Sequence, residues 1–209
     1  MNTEHGDGRR ESRVRRLIEP GSVRGFALAV VAALLSGCAA ITLVETGRQT
    51  VHDAYTVSPQ VAWSRVTQPD VEVWTIDGFV LQSLQFFRLD DGDSLYTTRT
   101  DQPGPTFVAG STPSEVAEFV VDSMAQQGAT SLEVSGLRPS PFGALEGFRF
   151  ELSYRQESGL EADGMVLGAV QDEELHLILY AGARAHYFPK YRDVVERLFD
   201  SVRTGSAKG

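Results

Sequence analysis

The chain has 209 residues, 28 of them acidic and 19 basic, giving a net charge of −9. So acidic a balance excludes a nucleic-acid binder that works through a basic face. A single cysteine excludes a disulfide framework, which needs an even number.

Arg9, Arg10, Arg13, Arg15, Arg16 and Arg24 precede an uncharged apolar run, Phe26 to Cys38. About a dozen apolar residues match the core of a secretory signal and fall short of the ~18–20 needed to span a bilayer. The run ends in Leu35-Ser36-Gly37-Cys38. This tetrad resembles the lipobox of bacterial lipoproteins: a branched apolar residue, two small ones and cysteine. The resemblance implies cleavage between Gly37 and Cys38, diacylglycerol on the Cys38 sulfur and acylation of the new N-terminus. Ala39 follows the cysteine where an aspartate would mark inner-membrane retention, so the resemblance implies the outer membrane, facing the periplasm. Two or three acyl chains anchor firmly, whereas one anchors only marginally.

Cleavage before Cys38 leaves 172 residues, 24 acidic and 13 basic, with a net charge of −11. That length suits one domain with a sizeable core. Its acidity opposes anionic lipid headgroups, so the membrane partner is reached through the lipid on Cys38. Residues 1–37 are thus expected to be a signal peptide and 38–48 a tether. Residues 49–203 are expected to form one domain and 204–209 a loose tail.

Val51, Tyr55 and Val57 alternate as in a first strand, and Val61, Trp63 and Arg65 as in a second. Val71 to Ile76 is rich in β-formers, and Asp77-Gly78 is a two-residue hairpin signal leading into a strand within Phe79 to Leu89. Asp90-Asp91-Gly92-Asp93 has the look of a metal loop, but residues 94–101 lack the alternating acids and closing glutamate of an EF-hand. A solvated acidic turn is expected there.

Thr112 to Gln127 reads as a helix. Thr112 can cap it, Pro113 fits the first position and Glu115 completes a capping box. Val116, Phe119, Val120 and Met124 form one apolar stripe, and Gly128 ends it. Strands are expected at Ser131 to Leu137, Leu145 to Tyr154, Met165 to Val170 and Glu174 to Tyr180. The last is apolar on both faces, as in a central strand covered on each side. A terminal helix from Phe188 or Pro189 to Val202 carries the stripe Tyr191, Val194, Val195, Leu198, Phe199 and Val202. The fold class is therefore α+β, an antiparallel sheet packed by two amphipathic helices. This order of elements over residues 75–203 resembles the PsbP-type α/β/α sandwich of the photosystem II extrinsic subunit and of several bacterial lipoproteins. The resemblance implies a fold and carries no functional residues.

Catalytic signatures are sparse. His52, His176 and His186 lack a metal-ligand spacing, no Gly-x-Ser-x-Gly elbow exists, and a lipidated Cys38 leaves no thiol nucleophile. No cofactor or metal is expected. Trp63, Trp74, Phe86 and Phe87 are read as core. The first functional reading is a non-enzymatic binding or assembly module docking an unknown envelope protein. Its contact is expected on the loop Arg138-Pro139-Ser140-Pro141-Phe142-Gly143, where Phe142 falls outside any periodic pattern. The alternative is a small-molecule-binding or hydrolytic enzyme of the periplasm that uses His176 and scattered acids.

Overall fold

Among the described residues, eleven strands and two helices follow from alternating apolar residues in the strands and one apolar stripe in each helix. The computed structural model describes residues 41–67, 71–97 and 103–205, so Gly37 and Cys38 lie outside the described residues. The strands are β1 (Ile41–Val44), β2 (Gln49–Val51), β3 (Tyr55–Val57), β4 (Trp63–Thr67), β5 (Val71–Thr75) and β6 (Gln82–Leu89). Helix α1 (Pro113–Gln126) leads to β7 (Thr130–Phe142), β8 (Leu145–Arg155), β9 (Glu161–Gln171) and β10 (Glu174–Ala183). Helix α2 (Tyr187–Asp200) and β11 (Arg203–Thr204) close the described chain. The fold is thus a mostly antiparallel sheet with two helices, the expected α+β class.

One sheet holds eight strands in the order β1-β4-β5-β6-β10-β9-β8-β7, every neighbouring pair antiparallel. Directly opposed residues share a face, which gives two separate cores. On one face, Phe87, Leu89, Leu177, Phe150 and Val166 pack with Val116, Phe119 and Val120 of α1. On the other, Trp74, Phe86, Ile178, Tyr180 and Leu167 pack with Tyr191, Val195 and Leu198 of α2. The second sheet, β11-β3-β2, adds Val51, Tyr55 and Val57 to that second core. Strand β10 is the expected central strand: all its residues but Glu174 are buried.

Helix α1 begins as its sequence dictates. The Thr112 N–H donates to Glu115 Oε2 at 2.7 Å, the Glu115 N–H returns to Thr112 Oγ1 at 3.4 Å, and Pro113 opens the first turn. Trp63, Trp74, Phe86 and Phe87 are all buried, in line with the core reading.

Several local expectations are corrected. Ile41–Val44, expected in the tether, is an edge strand in register with β4, Ile41 opposite Val66 and Val44 opposite Trp63. The fold therefore starts eight residues before Gln49, because buried Val44 joins the core that holds Trp63. Val51 to Val57 is a tight hairpin and not one strand. His52 and Asp53 take φ of 49° and 53°, and the Ala54 N–H donates to Val51 O at 3.1 Å. Positive φ at both central residues matches the strand twist, as in type I′ turns, although neither residue is glycine.

Asp77-Gly78 does not make a two-residue hairpin. The connection runs from Thr75 to Gln82, closed by the Thr75 hydroxyl, which donates to Gln82 O and accepts from the Gly78 N–H. Arg138 to Phe142 is not a loop but the end of β7. Its two prolines are tolerated because β7 is outermost and has a free hydrogen-bonding edge. The chain turns at Gly143-Ala144, with Gly143 at φ 65°. Thr204, expected in the tail, pairs with Tyr55 as part of β11.

Phe119 and Leu198 occupy different cores. Phe119→Ala and Leu198→Ala are each expected to lower stability by about 2–5 kcal/mol. Denaturant unfolding of both variants checks this. A near-unchanged midpoint in either would mean that its stripe is not the buried one.

Candidate functional site

The strand period decides which polar residues meet. Glu174 and His176 are two apart on β10, so they share a face, and β6 places Arg88 directly opposite His176. Arg88 Nη2 reaches Glu174 Oε1 at 2.5 Å, and His176 Nε2 lies 3.1 Å from Glu174 Oε2. The carboxylate is thus shared between a guanidinium and an imidazole. A cavity of about 370 Å³ lies over them, lined also by Tyr55, Asp172 and Thr204.

His176 is 6% exposed and Tyr55 2% exposed. Phe142 stacks on the His176 ring at 6.1 Å, and Tyr55 meets the same ring edge-on at 5.9 Å. The Nδ1 of His176 and the hydroxyl of Tyr55 are both buried without a hydrogen-bond partner. Buried polar atoms left without a partner are rare, because each forfeits its hydrogen bonds to water.

Burial lowers the pKa of His176 below its ordinary value. Glu174 opposes this, while Arg88 and His52 add to it. For Glu174, burial works to raise the carboxyl, but the bond and charge of Arg88 outweigh it and hold the group below its ordinary value. The site at neutral pH is therefore a neutral imidazole beside an ionised carboxylate. That pair can accept or orient a hydrogen-bond donor. Arg88 already engages Glu174, so the carboxylate is not a free base.

Phe142 does not stand out from a loop. It is fully buried, with Tyr55 at 4.9 Å and His176 at 6.1 Å. It cannot present a side chain to a partner. Its neighbours Pro139, Ser140, Pro141 and Gly143 do line an open cleft of about 770 Å³, with Pro113 and Phe148 on its other walls. The remaining histidines separate: the His52 ring nitrogen bonds to Phe86 O at 3.1 Å, and His186 precedes α2.

Two carboxylates of the acidic turn accept from backbone N–H groups, one within the turn and one on the loop before α1. Asp93 Oδ2 accepts from the Asp90 N–H and Asp91 Oδ1 from the Ala109 N–H. Among the described residues no group of three potential ligands could hold a metal ion. None of the described helices is long and apolar enough to cross a membrane.

Sequence reasoning singled out His176 but missed Arg88 and Tyr55. The i, i+2 spacing of Glu174 and His176 was the available signal. Arg88 comes from another strand, so only register could have found it. Glu72 was missed as well: it is 6% exposed, accepts from Trp74 Nε1 at 2.6 Å and faces Arg65 at 3.3 Å. Its role is to satisfy a buried indole.

No family model matches this sequence, and no curated protein matches it either. Among solved structures, the chain is similar to cyanobacterial PsbP (CyanoP) from Synechocystis sp. PCC 6803, with 16% identity, 81% of this chain and 95% of that one covered, and a TM-score of 0.47. It is also similar to LpqN, involved in cell envelope biogenesis of Mycobacterium tuberculosis, with 14% identity, coverage of 81% and 87%, and a TM-score of 0.36. A third is a Bacteroides thetaiotaomicron protein, at 5% identity, coverage of 79% and 51%, and a TM-score of 0.45. The match thus spans about half the length of that third protein. Likenesses this loose say nothing of what the chain binds.

Depressed pKa at His176 has a definite sign. The unfolded chain takes up its proton near the ordinary value, whereas the folded chain resists until lower pH. Stability is therefore full above that value and declines as pH falls below it. The unfolding midpoint is expected to drop as pH falls below ~6.5, and His176→Gln should flatten that drop. A wild-type midpoint that rises instead would contradict the burial of a neutral imidazole.

Proposed function

We propose that this chain is a bacterial envelope lipoprotein, anchored by lipid on Cys38, whose α+β domain works by contact with another envelope protein. One observation carries the reading: the apolar run Phe26 to Cys38 ends in Leu35-Ser36-Gly37-Cys38, which contains the sole cysteine of the chain. A helix on each face of an antiparallel sheet supports a PsbP-type α/β/α arrangement for the domain. Ala39 after the cysteine favours the outer membrane, with the domain in the periplasm. The contact is not made by Phe142, which is buried.

Contact is favoured over catalysis because the one acid–imidazole pair described above is tied up by Arg88. The cavity at His176 supports a second reading, a small-molecule-binding or hydrolytic role, since two buried polar atoms there lack partners. A thermal-shift screen against small polar metabolites separates the two. A stabilising compound whose effect disappears in His176→Gln favours the second reading.

Changing Cys38→Ser is expected to abolish labelling by radioactive palmitate and to leave an uncleaved or soluble form. Fractionation of membranes from cells expressing each form checks it. Unchanged maturation and membrane recovery in the variant would overturn the lipoprotein reading.

A further inference from the structure

Strands alternate their side chains, so β1, β4 and β5 divide their residues between two faces. One face carries Trp63, Arg65, Glu72 and Trp74; Trp63 and Trp74 lie in the core covered by α2. The other face carries Ile41 and Leu43 from β1, Ser64 and Val66 from β4, and Val71, Val73 and Thr75 from β5, with Ile41 opposite Val66 and Val66 opposite Val73; Val71 packs against the core under α1. Among the described residues of these three strands, that face has no charged side chain. Ile41 is 67% exposed and Leu43 66% exposed, whereas Val66, opposite Ile41 on β4, is buried at 7%. Two exposed apolar side chains side by side on an edge strand are out of keeping with a domain that carries so many acids.

The position of β1 along the chain says what Ile41 and Leu43 meet. Ile41 lies three residues after Cys38, and three residues span at most about 10 Å when fully extended. A lipid on Cys38 therefore holds β1 within about 10 Å of the headgroup layer. The far edge, β7, is seven strand spacings away, roughly 34 Å. Resting on this reading of Cys38, we propose that the β1 edge of the sheet meets the bilayer surface, with Ile41 and Leu43 in the headgroup–acyl boundary. Such contact is apolar, because the acidic domain is repelled by anionic headgroups. The domain would then stand on its β1 edge, with β7 and the cleft at Pro139 and Pro141 turned towards the periplasm.

Lipid occupies the native thiol of Cys38, so a new cysteine is the single free thiol for an environment-sensitive fluorophore. Full-length lipidated Leu43→Cys, Ile41→Cys, Thr42→Cys and Val134→Cys would be labelled and reconstituted into phosphatidylcholine vesicles. Labels at 41 and 43 are expected to shift to the blue and to be quenched by lipid-borne quenchers. Labels at 42, on the opposite face of β1, and at 134, on the far edge, are expected to stay aqueous. Vesicles that float with the protein while all four labels stay aqueous would overturn this orientation and leave the anchor intact. Labels at 41 and 43 that are shielded equally in the soluble Cys38→Ser form, at concentrations where it dimerises, would replace the bilayer by a second copy of the chain. Protein that fails to float at all would overturn the anchoring itself.

Discussion

Strand β10 is the constraint on which the rest of the structure depends. Leu175, Leu177 and Leu179 face the core under α1, while Ile178 and Tyr180 face the core under α2, and all are essentially inaccessible to solvent. A strand apolar on both faces can be stable only with cover on both. It therefore fixes one helix to each side of the sheet and ties the two cores into one slab. The Tyr180 hydroxyl adds a polar lock, donating to Tyr187 O at 2.9 Å where α2 begins.

The same strand places the polar cluster. Glu174 and His176 sit at the start of β10, where neither helix closes over the sheet and the short strands β3 and β11 supply the cover instead. Phe142 and Tyr55 reach in from the rim and pack against the imidazole. Residues from β3, β6, β7 and β10 thus converge although they lie far apart in the chain. The cluster reads first as the structural seam between the large sheet and the small one. Its His176 Nδ1 and Tyr55 hydroxyl are buried without a hydrogen-bond partner.

Local chemistry made part of this legible from sequence. Thr112, Pro113 and Glu115 encode the start of α1 within four residues, and the apolar alternation of Leu175 to Tyr180 identifies a central strand without any knowledge of its neighbours. What stayed hidden depends on partners distant in the chain. Pro139 and Pro141 suggest a loop until β7 is known to be an edge strand, and Phe142 looks exposed until Tyr55 and His176 are brought beside it. His52-Asp53 lacks the glycine that advertises a tight turn. Arg88 shows no pattern of its own, since its role is set by the register of β6 against β10. Ile41 to Val44 looked like spacer because it follows an apolar run and has only Val44 to bury.

That last revision changes the functional picture most. If Cys38 carries lipid as proposed, a tether of ten residues would let the domain sample many orientations above a membrane, whereas β1 in the sheet starts the fold three residues after Cys38. Amide hydrogen exchange in the lipidated protein tests this most directly. Those amides of β1 that face β4 should exchange far more slowly than an unstructured chain and in step with their partners in β4. Exchange of the same amides at the unstructured rate would return residues 41–44 to the tether and remove the fixed orientation.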